Sequence, residues 1–120
     1  MAEVKYINHK GKKILLMDFT YSKPEEMIEA IEKTKKLIVK NPEKSVLGLV
    51  DVRYSPFDTD LSEALKKLAE HDRPYIKVTA IVGVTGFKKL SYMAMLRFSG
   101  RKNILMFNKI ETAKDWLAEQ

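Results

Sequence analysis

The sequence predicts an α/β fold in which a mostly parallel, five-stranded sheet with an N-terminal hairpin packs against about four helices. Two observations predict it: apolar runs of strand length alternate with amphipathic segments of helix length, and the two central runs are apolar at successive positions. Strands that alternate with helices are joined by crossovers, which make neighbouring strands parallel. Because the 120 residues contain no internal repeat and no linker, we expect a single domain over residues 1–120.

The chain begins with two short strands that form a hairpin. Residues 4–8 and 13–20 are rich in β-branched and apolar side chains, and Gly11 lies in the turn between them. This hairpin adds an antiparallel edge to the sheet.

The first helix has a recognisable start and end in the sequence. Ser22 can accept a hydrogen bond from an unpaired amide, Pro24 suits a first helical turn, and Glu25 follows three residues after Ser22. We expect the helix to run to about Val39, where the Asn41-Pro pair stops it.

Two later strands are predicted to be central and covered on both faces. Residues 45–52 and 77–84 are almost continuously apolar. The helix between them is expected to begin at Asp58, Thr59 or Asp60, and Asp60 with Glu63 has the spacing of a capping box.

The remainder of the chain supplies a helix, a strand and a last helix. The third helix covers about residues 86–100, and a strand follows at residues 103–108. Asn108 and Glu111 predict the start of the terminal helix, which carries Trp116 on its apolar stripe.

The net charge of +6 raises the question of a nucleic-acid partner, because lysines bind phosphate by releasing counterions. The lysines, however, are spread along the chain in pairs such as Lys35–Lys36 and Lys66–Lys67, and most lie beside glutamates. This distribution is typical of solvated helix faces. We therefore expect no nucleic-acid partner.

Several kinds of chemistry have no support in the sequence. The chain has no cysteine, its two histidines, His9 and His71, lie far apart, and no glycine-rich loop is placed to hold a nucleotide. We expect no catalytic residue, no metal site and no cofactor, and we predict that the protein is not an enzyme. No apolar stretch reaches the length of a membrane span, and the N-terminus lacks a signal core. A cytoplasmic protein without an integral membrane segment is expected.

Acidic residues at strand ends leave one enzymatic alternative open. Asp18 and Asp51 end the second and third strands, and carboxylates at the carboxyl edge of a parallel sheet can hold Mg²⁺. Capping and loop solvation explain these residues more simply, so an acidic-site enzyme is our third hypothesis.

The order of elements, and two stretches of sequence, resemble a known family. Residues 108–120 (NKIETAKDWLAEQ) look like the closing acidic helix of the SpoIIAA-like family, and residues 78–90 (VTAIVGVTGFKKL) are similar to its penultimate strand and following helix. This family is grouped with STAS domains and with CRAL-TRIO lipid-exchange domains. The resemblance covers nearly the whole chain and implies a STAS (SpoIIAA)-like fold.

The resemblance also singles out the loop before the second helix. In phosphorylatable STAS antagonists this loop carries Asp-Ser-Ser-Gly, whereas this chain has Asp58-Thr59-Asp60-Leu61. Asp60 stands where a switchable serine is expected, and a fixed carboxylate cannot be switched. Thr59 is the remaining hydroxyl and is the candidate modification site, since a helix N-terminus favours an attached phosphate.

The third helix is more apolar than one buried face requires. Apolar residues, among them Phe87, occur on more than the ~100° stripe of a core-facing helix. The helix is either buried more deeply than its neighbours, part of a homodimer face, or one wall of an apolar pocket.

Our first hypothesis is a non-catalytic STAS-like regulatory or protein-interaction module that docks a protein partner and forms a homodimer. The second is a carrier or sensor of a small apolar or lipid-like ligand in a CRAL-TRIO-like pocket. The predicted binding or interaction residues lie in the loop after the third strand and on the third helix: Tyr54, Phe57, Asp58, Thr59, Asp60, Tyr92, Met95 and Phe98.

Overall fold

The computed structural model describes residues 2–120, except for the side chain of Phe87. Its strands and helices follow the predicted order along the chain. The strands are β1 (Glu3–His9), β2 (Lys12–Asp18), β3 (Val46–Asp51), β4 (Ile76–Val82) and β5 (Ile104–Phe107). The helices are α1 (Pro24–Ile38), α2 (Thr59–Asp72), α3 (Phe87–Ser99) and α4 (Ile110–Ala118).

The five strands form one sheet in the order β1-β2-β3-β4-β5. β1 pairs with β2 in an antiparallel hairpin, and the other neighbours are parallel. Lys10 and Gly11 form the hairpin turn with φ of 50° and 81°, the left-handed conformation that a tight two-residue turn requires. The parallel sheet with an antiparallel edge, and therefore the predicted fold class, is confirmed.

The two faces of the sheet are covered unequally. Helices α1, α2 and α3 pack on one face, against side chains that include Leu15, Met17 and Ile81. The other face is covered by α4, whose Ala113 and Leu117 are fully buried against the alternate residues of the strands. β5 is the edge strand of the sheet and lies next to α3.

Two predicted helix starts differ from the observed ones, whereas α2 starts at one of its three predicted candidates. α1 is capped one residue later than expected, since Glu26 Oε1 accepts a hydrogen bond from the Lys23 amide at 2.9 Å and the Ser22 hydroxyl donates to the Thr20 carbonyl. α4 begins after Lys109 without a side-chain cap from Asn108. At α2, Asp58 alone is the cap.

Candidate functional site

The outer side of α3 exposes apolar side chains to solvent. Leu90 and Phe98 are 73% and 75% exposed, Met93 is 47% exposed, and Ala94 lies between them on the same side. We call these four residues the α3 outer face. The apolar residues that exceed one buried stripe of this helix are therefore exposed among its described side chains, and the predicted contribution of Phe87 lies outside the described side chains.

The inner side of the same helix belongs to the core. Tyr92 and Met95 are 2% and 6% exposed and pack over the sheet, and Ser99 continues this buried stripe. Tyr92 and Met95 are therefore not part of the exposed surface of α3, and their predicted role in binding stays a prediction. They occupy the stripe that attaches α3 to the domain, one turn apart at the i and i+3 spacing.

A groove of about 470 Å³ separates α3 from the edge strand β5. Its floor is apolar, with Met93 and Leu96 from the helix and Ile104 and Met106 from the strand. The charged residues that line it are all cations: Lys89, Arg97, Arg101 and Lys102. An apolar floor with a border of one charge sign is a chemically selective surface.

A cavity of about 60 Å³ lies inside the domain, between the sheet and the buried sides of α2 and α3. It is lined mainly by apolar side chains, including Leu65, Met95 and Ile81. Tyr92 also lines it, and the Tyr92 hydroxyl is buried without a hydrogen-bond partner among the described residues. Burial raises the pKa of Tyr92 and keeps the hydroxyl protonated, so it is a free donor.

Polar groups close one end of this cavity. Arg101 donates to Thr79 Oγ1 at 2.9 Å and to Asn103 Oδ1 at 2.8 Å. Asp72 is buried nearby and contacts His71 Nδ1 at 3.0 Å. Burial raises the pKa of Asp72, although His71 and Arg101 oppose this, whereas burial lowers the pKa of Arg101.

The two acids at the carboxyl edge of the sheet are neighbours in register but have separate partners. Asp51 is buried and forms an ion pair with Arg53, with 2.8 Å between Oδ2 and Nη2. Asp18 accepts hydrogen bonds from the amide and the hydroxyl of Thr20 at 3.0 and 2.6 Å. Both carboxylates therefore stabilise their own loops, and among residues 2–120 no group of three or more metal-binding side chains is found.

The β3–α2 loop passes close to the end of β4. A Cβ atom added at Gly83, where φ is 95°, would lie 2.8 Å from the Arg53 nitrogen. Tyr54, in the same loop, stacks on Tyr21 with ring centroids 4.8 Å apart, and the two residues have φ of 58° and 55°. Non-glycine residues in this conformation are uncommon, and here two of them hold a pair of exposed rings together.

The start of α2 is formed by the acidic loop. Asp58 Oδ1 accepts a hydrogen bond from the Leu61 amide at 2.8 Å, which satisfies one of the unpaired amides of the first turn. Thr59 and Asp60 are exposed on that turn. A phosphate on Thr59 would meet the helix amides but also the carboxylates on either side, and the modification stays a prediction.

The predicted site residues lie at four places and do not meet in one pocket. Phe57 packs on Tyr92 with ring centroids 4.2 Å apart, which joins the loop to α3 inside the domain. Tyr54 lies with Tyr21, the residues from Asp58 to Asp60 lie at the start of α2, and Phe98 lies on the α3 outer face.

The predicted site residues left out several residues of the α3 outer face and of the groove. Leu90 and Met93 share the apolar character of Phe98 and could have been found from their spacing on the helix. The cations that line the groove lie on α3 and in the loop directly after it, and the packing of β5 beside α3 makes them the border of one groove.

Comparisons with known proteins bear on the fold alone. A structure from Shewanella loihica PV-4, described as an uncharacterised protein from the DUF3478 family with a SpoIIAA-like fold, superposes with a TM-score of 0.65. The match covers 97% of this chain and 93% of that chain, at 19% sequence identity. This chain has a SpoIIAA-like fold. No protein-family model and no curated protein matches the sequence.

Within residues 2–120, every helix of the SpoIIAA-like domain is too short or too polar to span a bilayer.

Proposed function

We propose that this SpoIIAA-like domain is a non-catalytic regulatory or protein-interaction module that docks a partner on the α3 outer face. The observation that carries the proposal is the exposure of Leu90 and Phe98 on a helix that is fixed to the core by Tyr92 and Met95. A soluble domain seldom exposes large apolar side chains side by side unless they are covered by a partner.

The face has the composition of a protein contact. Aromatic and methionine side chains are enriched at the centres of interfaces, and α3 presents Phe98 and Met93 on a rigid element. The homodimer predicted from the sequence would use the same face, because a second copy would cover Leu90 and Phe98 with their own counterparts. The regulatory part of the proposal rests on Thr59, which is exposed at the start of α2.

Site-specific photocrosslinking in the source cells tests the docking face. A benzophenone amino acid replaces Ala94 at the centre of the face, and in a control protein it replaces Glu29, which is exposed on α1. We expect a discrete crosslinked species from position 94 and none from position 29. A product of twice the protomer mass identifies the homodimer, and a larger or smaller product identifies another protein. Equal labelling at both positions contradicts the proposal.

A second candidate function, the binding of a small ligand, is favoured by the unpaired Tyr92 hydroxyl in the internal cavity. At about 60 Å³ the cavity is far smaller than ordinary ligand pockets of roughly 300–1,000 Å³. The ligand would therefore be a molecule of a few non-hydrogen atoms with one hydrogen-bonding group, and a lipid chain would not fit.

Native mass spectrometry of the gently purified protein tests this second candidate. A reproducible bound mass that disappears in the Tyr92→Phe variant supports it. A protein without an added mass, whose unfolding temperature is unchanged by small alcohols and amides, contradicts it.

A further inference from the structure

The groove between α3 and β5 continues into a second cleft that is also cationic. The second cleft, of about 380 Å³, shares Gly100, Arg101 and Lys102 with the groove and adds Lys44 and Arg73. No carboxylate lines either cleft in the part of the chain that the structure describes. We call the two together the cationic groove.

The cations of this groove are largely available to a partner. Lys89, Arg97 and Lys102 are exposed, and none of the three forms an ion pair within residues 2–120. Arg101 is held inward by Thr79 and therefore contributes a fixed positive charge beneath them. Several like charges without counterions raise the local potential and favour an anionic occupant.

The floor of the groove determines what kind of anion fits. Met93 and Leu96 present apolar surface between the cations, and Ile104 and Met106 of β5 line the same groove. Burial of this surface is favourable only against another apolar surface. The occupant must therefore carry apolar and acidic groups together, as a polypeptide does.

One wall of the groove is an unpaired strand edge. The carbonyls of Asn103 and Phe107 accept hydrogen bonds from the amides of Thr79 in β4 and of Gly83 just after it. Alternation along the strand therefore directs the backbone groups of Ile104 and Met106 away from the sheet. β5 contains no proline and no charged residue that would block the addition of another strand.

We propose that the cationic groove binds an extended acidic segment of a partner protein, which adds to the edge of β5 as a sixth strand. This inference rests on the proposed function and names the chemistry of the partner. Main-chain hydrogen bonds to Ile104 and Met106 align the segment. Its apolar side chains cover Met93 and Leu96, and its carboxylates meet Lys89, Arg97 and Lys102.

Other occupants fit these features less well. A nucleic acid supplies phosphates but has no peptide groups to pair with the edge of β5, and a bilayer surface is too flat to reach that edge. Antiparallel pairing of β5 with the β5 of a second copy would place Lys102 near Lys109, so like charges would oppose it.

Titration of the isotopically labelled full chain with synthetic peptides, followed by amide NMR, tests the inference. The first probe is a ten-residue peptide that alternates glutamate with valine or leucine. The second replaces each glutamate by glutamine, the third replaces each by lysine, and the fourth is the acidic peptide N-methylated at alternate residues. A ten-nucleotide single-stranded DNA and vesicles of phosphatidylcholine with phosphatidylserine complete the set.

We expect the acidic peptide to shift the amides of Ile104 and Met106 and to bind at least about tenfold more tightly than the glutamine peptide at low salt. The lysine and N-methylated peptides should not bind. A Lys89→Gln, Arg97→Gln, Lys102→Gln variant should lose the preference for acid, and a Lys12→Gln, Lys33→Gln, Lys67→Gln variant should keep it.

Each other result overturns the inference in a defined way. If the glutamine peptide binds at β5 as tightly as the acidic peptide, the partner segment need not be acidic, but the proposal of docking on the α3 outer face still stands. If the N-methylated peptide binds as tightly as the acidic peptide, main-chain hydrogen bonds to β5 are not needed, and the addition of a sixth strand is contradicted. If DNA or the vesicles bind more tightly than the acidic peptide, the partner is a nucleic acid or a membrane surface and not a protein segment. If no probe shifts the amide signals of β5 or α3, this inference fails. The crosslink at position 94 still tests separately whether a partner docks on the α3 outer face.

Discussion

Phe57 packs on Tyr92 with ring centroids 4.2 Å apart, and this contact attaches the loop after β3 to the buried side of α3. The position of α3 is therefore set from two directions, by the sheet beneath it and by the loop beside it. The same helix exposes Leu90 and Phe98 on its outer side. A rigid helix with an apolar outer face is an arrangement suited to docking, because little conformational entropy is lost when a partner binds.

Phe98 and Met95 form a matched pair for stability, since both are large apolar residues of α3 but only Met95 is buried. We expect Phe98→Ala to change the free energy of unfolding by less than about 0.5 kcal/mol. Met95→Ala should lower it by about 2–4 kcal/mol, because it removes buried methylene groups beside an existing cavity. Urea denaturation measures both. A large loss from Phe98→Ala would show that this ring is covered in solution.

The hydroxyl of Tyr92 is expected to cost stability in the unliganded protein. Tyr92→Phe keeps the ring contact with Phe57 and removes an unpaired buried donor, so the free energy of unfolding should rise by about 1 kcal/mol. Urea denaturation of the variant is compared with that of Tyr54→Phe, whose ring is exposed. A loss of stability in Tyr92→Phe would indicate that the hydroxyl has a partner in the cavity, which would favour the small-ligand candidate.

Asp58 should carry the capping energy of α2 by itself. Asp58→Ala removes the hydrogen bond from the Leu61 amide and should lower the free energy of unfolding by about 1 kcal/mol. Asp60→Ala is the control, since the Asp60 side chain makes no described capping bond, and should change it by less than about 0.5 kcal/mol. If the two losses were equal, the capping box predicted from the sequence would be the better description.

Asp72 should make stability depend on pH in the acid range. Burial raises its pKa above the ordinary value of 3.8, so between pH 3.8 and the folded-state pKa the native protein binds more protons than the unfolded chain. Stability should therefore fall, relative to the Asp72→Asn variant, as the pH rises through this range. Urea denaturation from pH 3 to pH 7 measures the difference, with Asp60→Asn as the control for the loss of one carboxylate. A difference that grows in the opposite direction would show that His71 and Arg101 outweigh burial.

Local patterns in the sequence determined the elements of this domain. Successive apolar positions identified β3 and β4 as covered strands, and the alternation of strands with helices predicted the parallel sheet that the SpoIIAA-like fold shows. These signals are readable because burial imposes a period on each element separately. The excess of apolar residues on α3 was readable for the same reason, since one helix can bury only one side.

Only the tertiary structure decided which residues share a site. It turned Tyr92 and Met95 inward, stacked Tyr54 on Tyr21, and placed Asp51 against Arg53. It also brought Lys44, which is distant in the sequence, into a cleft that adjoins the groove of Lys89 and Lys102. The spacing of charged residues along a sequence does not show which of them are neighbours in space. The cationic groove is therefore determined by how the elements pack, and not by the sequence pattern of any one element.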